Sequence, residues 1–75
     1  MKKNSKINIS YDNEVDAVYI SLTSDNKIKI KNTYTCDELK ENLGGDINLD
    51  FDQDGRLVGI EIINASNVLH KELLE

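Results

Sequence analysis

The sequence predicts one α+β domain over residues 1–75: a small antiparallel sheet of four to five strands, arranged as two hairpins plus an edge strand, with one or two short helices, one of them C-terminal. Three observations carry this reading. Apolar residues alternate with polar ones in several short runs, the two-residue period of a strand with one buried face. Two of the gaps between runs are rich in Asp, Asn or Gly, which favour turns. Near the C-terminus the spacing changes, and Leu69 and Leu73 stand four apart.

Ile7-Asn8-Ile9-Ser10-Tyr11 alternates cleanly and predicts the first strand. Asp12-Asn13-Glu14-Val15-Asp16 supplies turn formers, and Ala17-Val18-Tyr19-Ile20-Ser21-Leu22-Thr23 is rich in β-formers. Pairing Tyr11 with Val18 sets Ile9 opposite Ile20 and Ile7 opposite Leu22, so six apolar groups share a face. After a loop at Ser24-Asp25-Asn26, Lys27-Ile28-Lys29-Ile30-Lys31 alternates again. Lysine at every other place suits a sheet edge, where charge discourages further pairing. Thr35-Cys36-Asp37-Glu38 has the form of a helix capping box, Leu39 and Leu43 follow, and Gly44-Gly45 closes a helix over Thr35–Leu43.

Ile47-Asn48-Leu49-Asp50-Phe51-Asp52 and Leu57-Val58-Gly59-Ile60-Glu61-Ile62-Ile63 flank a turn at Gln53-Asp54-Gly55-Arg56. Asp-Gly is a strong hairpin signal. A two-residue turn at Asp54-Gly55 sets Gln53 opposite Arg56, Phe51 opposite Val58, Leu49 opposite Ile60 and Ile47 opposite Ile62. The rival is a type I turn over Asp52–Gly55 with a glycine bulge. It shifts the pairing by one and sets Ile47 opposite Glu61, so the hydrophobic pattern favours the two-residue turn. In the tail, Asn64 or Ser66 serves as helix cap, and Leu69 and Leu73 form an apolar stripe beside Val68 and Leu74.

Composition excludes several functions. With 14 acids against 9 bases the net charge is −5. Residues 1–31 hold six lysines and four acids, whereas residues 32–75 hold three bases and ten acids. Such a chain is not expected to bind nucleic-acid phosphates directly. Cys36 and His70 are the only residues of their types, so neither an internal disulfide nor a zinc site of ordinary ligands is expected. No apolar run approaches the roughly 20 residues that span a bilayer, and no signal-peptide stretch follows the basic start. The expected location is the cytoplasm, with no membrane association.

Tyr11-Asp12-Asn13-Glu14-Val15-Asp16-Ala17-Val18-Tyr19-Ile20-Ser21-Leu22 and the stretch from Leu49 to Ser66, with its Asp-Gly hairpin, Gly59-Ile60-Glu61-Ile62 and Ala65-Ser66, form a joint pattern. Through it the chain resembles the small bacterial domains of unknown function called the DUF2283 family. The segment from Thr23 to Asp46 is longer than that resemblance implies. The resemblance supports the fold and carries no activity with it.

Asp50, Asp52, Asp54 and Glu61 have the spacing of an EF-hand calcium loop, with Leu57 at its usual hydrophobic place. Both flanks have strand period, so this set is only a weak metal candidate, and no cofactor is expected. Asp12, Glu14 and Asp16, near Tyr11 and Tyr19, read first as turn chemistry, with Asp12 accepting from amides two residues on. Cys36 and His70 are not tied together as a nucleophile pair. No catalytic grouping or phosphate loop is present, so the chain is not expected to be an enzyme.

The second face of the sheet is the more informative one. It is expected to carry Tyr19, Asp50, Asp52, Leu57, Glu61 and Ile63, with Gly59 leaving room for a ring or backbone to approach. These six are the candidate partner-binding residues. The leading expectation is a non-enzymatic protein-interaction or self-associating module, a homo-oligomer or the partner of another protein. The alternatives are an acidic inhibitor, antitoxin-like or mimicking nucleic acid, that fits a basic partner protein, and a calcium-binding protein.

Overall fold

The computed structural model describes residues 7–24, 27–37 and 44–74. The chain forms strands β1 (Asn8–Asp12), β2 (Ala17–Ser21), β3 (Asn32–Thr35), β4 (Asp46–Phe51) and β5 (Leu57–Ile63). One α-helical turn, α1 (Ala65–Val68), follows, then a 3-10 turn over Lys71–Leu73. The strands make a single antiparallel sheet in the order β1-β2-β5-β4-β3.

The first hairpin has the expected register, with Tyr11 opposite Val18 and Ile9 opposite Ile20. Pairing ends at Asn8 and Ser21, one pair short of Ile7 and Leu22. The amide of Glu14 donates to Asp12 Oδ1 at 3.0 Å, the local bond expected of an aspartate in a turn.

The second hairpin corrects the turn and keeps the inner register. Gly55 N donates to Asp52 O at 3.1 Å and Asp52 N to Arg56 O at 2.9 Å. This is the rival turn over Asp52–Gly55, with Gly55 at φ 77°. The Asp52 carboxylate explains the choice, because its Oδ1 accepts from Asp54 N at 2.9 Å and Arg56 N at 3.0 Å. A register shift between Asp50 and Phe51 then undoes the offset. Phe51 faces Leu57 rather than Val58, yet Leu49 still meets Ile60 and Ile47 still meets Ile62.

Two rows of apolar side chains cross the sheet. One runs Tyr11, Val18, Ile62, Ile47; the other runs Ile9, Ile20, Ile60, Leu49, Tyr34. Val18, Ile62 and Ala65 form the buried centre, with Ile20, Ile47, Ile60, Val68, Leu69 and Leu74 packed against it. The C-terminal segment therefore covers the middle of the face.

Two further expectations are corrected. The edge strand is Asn32–Thr35, not Lys27–Lys31, of which only Lys31 joins the ladder, donating to Phe51 O at 2.9 Å. Asn32–Thr35 has better partners: the Tyr34 ring meets Phe51 edge-on at 5.5 Å, and two threonine hydroxyls reach acceptors on β4. Thr35, expected to cap a helix, thus belongs to β3; residues 38–43 of that helix lie outside the described residues. The C-terminal helix is broken, since Leu69 is extended between α1 and the 3-10 turn. Its cap is also not local. Asn64 sits at φ 55° and makes no side-chain cap bond.

The cap comes from Asp16, fifty residues away in sequence. Its carboxylate accepts from Ser66 N at 3.1 Å and from Ser66 Oγ at 2.6 Å, and its carbonyl accepts from Ala65 N at 2.8 Å. Tyr11 donates its hydroxyl to the same carboxylate at 3.0 Å. The Ser66 hydroxyl is the main reason the Asp16 carboxyl titrates below its ordinary range, with Tyr11 and the Ser66 amide adding to it.

A lowered aspartate pKa gives stability that is present above the unfolded value of about 4 and lost as pH falls through the folded value. Urea midpoints measured across the acid range are expected to fall less steeply for Asp16→Asn than for the wild type. At Gly55, where φ is positive, alanine is expected to cost about 1–2 kcal/mol in the same assay.

Candidate functional site

The side of the sheet opposite the core holds a polar network. Across β2, β5, β4 and β3 the residues align in two rows. The first is Tyr19, Glu61, Asn48, Thr35; the second is Ser21, Gly59, Asp50, Thr33. Asn48 joins the first row, accepting from Thr35 Oγ1 at 2.7 Å and donating to Glu61 Oε1 at 3.1 Å. In the second, Thr33 Oγ1 donates to Asp50 Oδ1 at 2.7 Å.

Tyr19 ties the rows together diagonally. Its hydroxyl donates to Asp50 Oδ2 at 3.0 Å, passing over Gly59. A Cβ on Gly59 would overlap the Tyr19 hydroxyl, so glycine here is a requirement of the ring's position. The close approach expected at Gly59 is made by the protein's own tyrosine.

Asp50 is 6% exposed, a buried carboxylate with a hydroxyl on each oxygen. Such bonds are needed, since burying an unpaired carboxylate is very costly. Burial, then the bond to Asp50, holds the Tyr19 hydroxyl above its ordinary pKa. It therefore stays protonated near neutrality and acts as a donor, not a base.

The structure gathers three of the six partner-binding candidates, Tyr19, Asp50 and Glu61, into this network. Ile63 shares the face at its far end, opposite Ala17 and Asp46. Asp52 lies at the hairpin tip with Oδ1 turned to its own turn amides. The register shift sets Leu57 opposite Phe51, and its side chain is exposed. The calcium-loop set is spread over a strand, a turn and a second strand, and among the described residues no group of three or more His, Cys, Asp or Glu is arranged to hold a metal ion. Cys36 N donates to Ile47 O at 2.8 Å, whereas His70 Nδ1 accepts from Glu72 N at 3.2 Å.

Sequence reasoning missed Thr33 and Thr35 as members of the network. The β-branched alternation Thr33-Tyr34-Thr35 was the available signal.

Tyr19→Phe is expected to cost about 1–3 kcal/mol, because it removes one of two donors from a buried carboxylate. Gly59→Ala is expected to cost a similar amount, about 1–3 kcal/mol, by displacing the ring. Chemical denaturation checks both. The raised Tyr19 pKa also predicts stability that is complete below about pH 10 and is lost as pH climbs through the folded value, a loss smaller in Tyr19→Phe, where Tyr11 alone keeps a raised pKa.

Comparison with curated proteins and with solved structures finds no match. A family described as "Protein of unknown function (DUF2283)" matches residues 8–66. The matched stretch runs from the first residue of β1 to Ser66, the residue that Asp16 holds. It takes in all five strands and every bond of the polar network, and the chain belongs to the DUF2283 family.

Proposed function

We propose that the chain is a non-enzymatic interaction module that associates with a second copy of itself. The observation that carries this reading is the five-strand apolar row. Its middle is covered, but its ends are open: Ile9 is 60% exposed and Tyr34 is 59% exposed. Ile7, Val15, Ile30, Leu57 and Leu73 are exposed as well. A small domain that leaves so much apolar surface in water gains stability by covering it.

The polar face supports a non-catalytic reading. Its hydroxyls already donate to carboxylate or amide oxygens, and its tyrosine is held protonated. General acid–base work needs a group poised near the working pH. The acidic-inhibitor reading has less support, because Asp50 is buried and Asp52 faces its own turn, which leaves fewer acids to meet a basic partner.

Light scattering over a wide concentration range tests the proposal. The expected result is a mass that rises from monomer to dimer or beyond as concentration increases. A monomer at every concentration overturns it.

A further inference from the structure

We infer that Asp54 is a site of uncatalysed backbone modification, conversion to isoaspartate, and that Asp52 is the residue that restrains it. Asp54-Gly55 is the one Asp-Gly pair in the sequence. In the reaction the backbone nitrogen of Gly55 attacks Cγ of the protonated Asp54 side chain. A C–N bond forms, the carboxyl's hydroxyl leaves with the amide proton as water, and a five-membered succinimide closes. Water then adds to one of the two ring carbonyls. Opening at the main-chain carbonyl of Asp54 leaves the chain running through Cγ, as isoaspartate; opening at the other restores aspartate. The water released in the first step is taken up in the second, so no oxidant, reductant or enzyme takes part.

The hairpin tip offers both reacting groups and the space. Asp54 and Gly55 are exposed. Glycine has no side chain to shield its nitrogen, and a Cβ placed on Gly55 would meet nothing within 4 Å. The ring therefore has room to form.

The turn holds the nucleophile elsewhere. Gly55 N donates to Asp52 O at 3.1 Å. The amides on either side, Asp54 N and Arg56 N, donate to Asp52 Oδ1 at 2.9 and 3.0 Å. Three successive amides are thus committed to one residue. Ring closure swings the Gly55 nitrogen onto the Asp54 side chain, so Asp54 must leave the ψ of about 0° that a type I turn gives its third residue. Closure therefore waits on local opening of the turn, and its rate follows the fraction of time the turn is open. Removing the two carboxylate bonds raises that fraction roughly tenfold. Isoaspartate adds one backbone carbon to a turn whose offset is cancelled by the register shift at Asp50/Phe51. The longer turn no longer matches that shift, so a modified chain loses the pairing of Phe51 with Leu57 first.

The test keeps the full chain in warm neutral buffer, either folded or unfolded in urea. Isoaspartate is read by isoaspartate-specific carboxyl methylation, and its place is assigned by fragmentation of the tryptic peptide that ends at Arg56. The expected result is isoaspartate at Asp54 that accumulates more slowly in the folded chain than in the unfolded one. Folded Asp52→Ala is expected to react roughly tenfold faster than folded wild type. In urea the two are expected to react alike, because no turn remains to hold the amides. Asp52→Asn keeps an uncharged acceptor and is expected to fall between them; it decides the matter where a urea titration shows Asp52→Ala to be unfolded. No isoaspartate at Asp54 in the unfolded chain overturns the site. A folded wild type that reacts as fast as the unfolded chain, or folded Asp52 variants no faster than wild type, overturns the restraint by Asp52.

Discussion

Val18 lies directly opposite Ile62, and this contact between β2 and β5 makes one sheet from two hairpins. Each hairpin alone is a two-stranded ribbon with one apolar face, which is marginal in water. Joined at their inner strands, they bring Val18, Ile62, Ile20 and Ile60 together, and the C-terminal segment packs on that patch through Ala65 and Val68. Asp16 holds the segment there, and it lies immediately before β2. The first hairpin turn thus anchors α1 to the strand that begins the core.

Local patterning revealed the register of each hairpin. Ile9 with Ile20 and Leu49 with Ile60 follow from alternation alone. At the second turn, alternation and turn chemistry disagreed, because Asp52 and Gly55 favour a turn that offsets the strands. The bulge at Phe51–Leu57 reconciles them: Asp52 satisfies the turn amides, and the register is restored by Asp50. A reading that allows one turn and one register cannot find a solution with two compensating shifts.

Features that depend on distant partners were not legible. Lys27–Lys31 has the stronger period-two signal, yet Asn32–Thr35 pairs, because Tyr34 reaches Phe51 and Thr33 reaches Asp50. Nothing within a short window announces those contacts. The cap on α1 is of the same kind. Ser66 reads as a cap for its own helix, whereas it is the group being held, by a carboxylate from the first hairpin. On the polar face the sequence indicated Tyr19, Asp50, Glu61 and the space above Gly59, but not that the ring filling this space would be Tyr19 itself.

The two faces place different demands on the same strands. Apolar contacts on the core side are forgiving, since one isoleucine packs against another in several positions. The polar side is less so. Tyr19 must pass over a residue without a side chain to reach Asp50, and Asn48 must lie between Thr35 and Glu61. A slip of β4 against β5 by one residue would set Ile47 opposite Glu61 and take the buried Asp50 carboxylate away from the Tyr19 hydroxyl. The polar network and the core therefore demand the same register. On the β3 side the network also holds one end of the apolar row, because Thr33 and Thr35 flank Tyr34 and both bond to β4. Surface held in place before contact loses less freedom on binding, so the self-association proposed above would draw on a polar face that lies on the other side of the sheet from the apolar row.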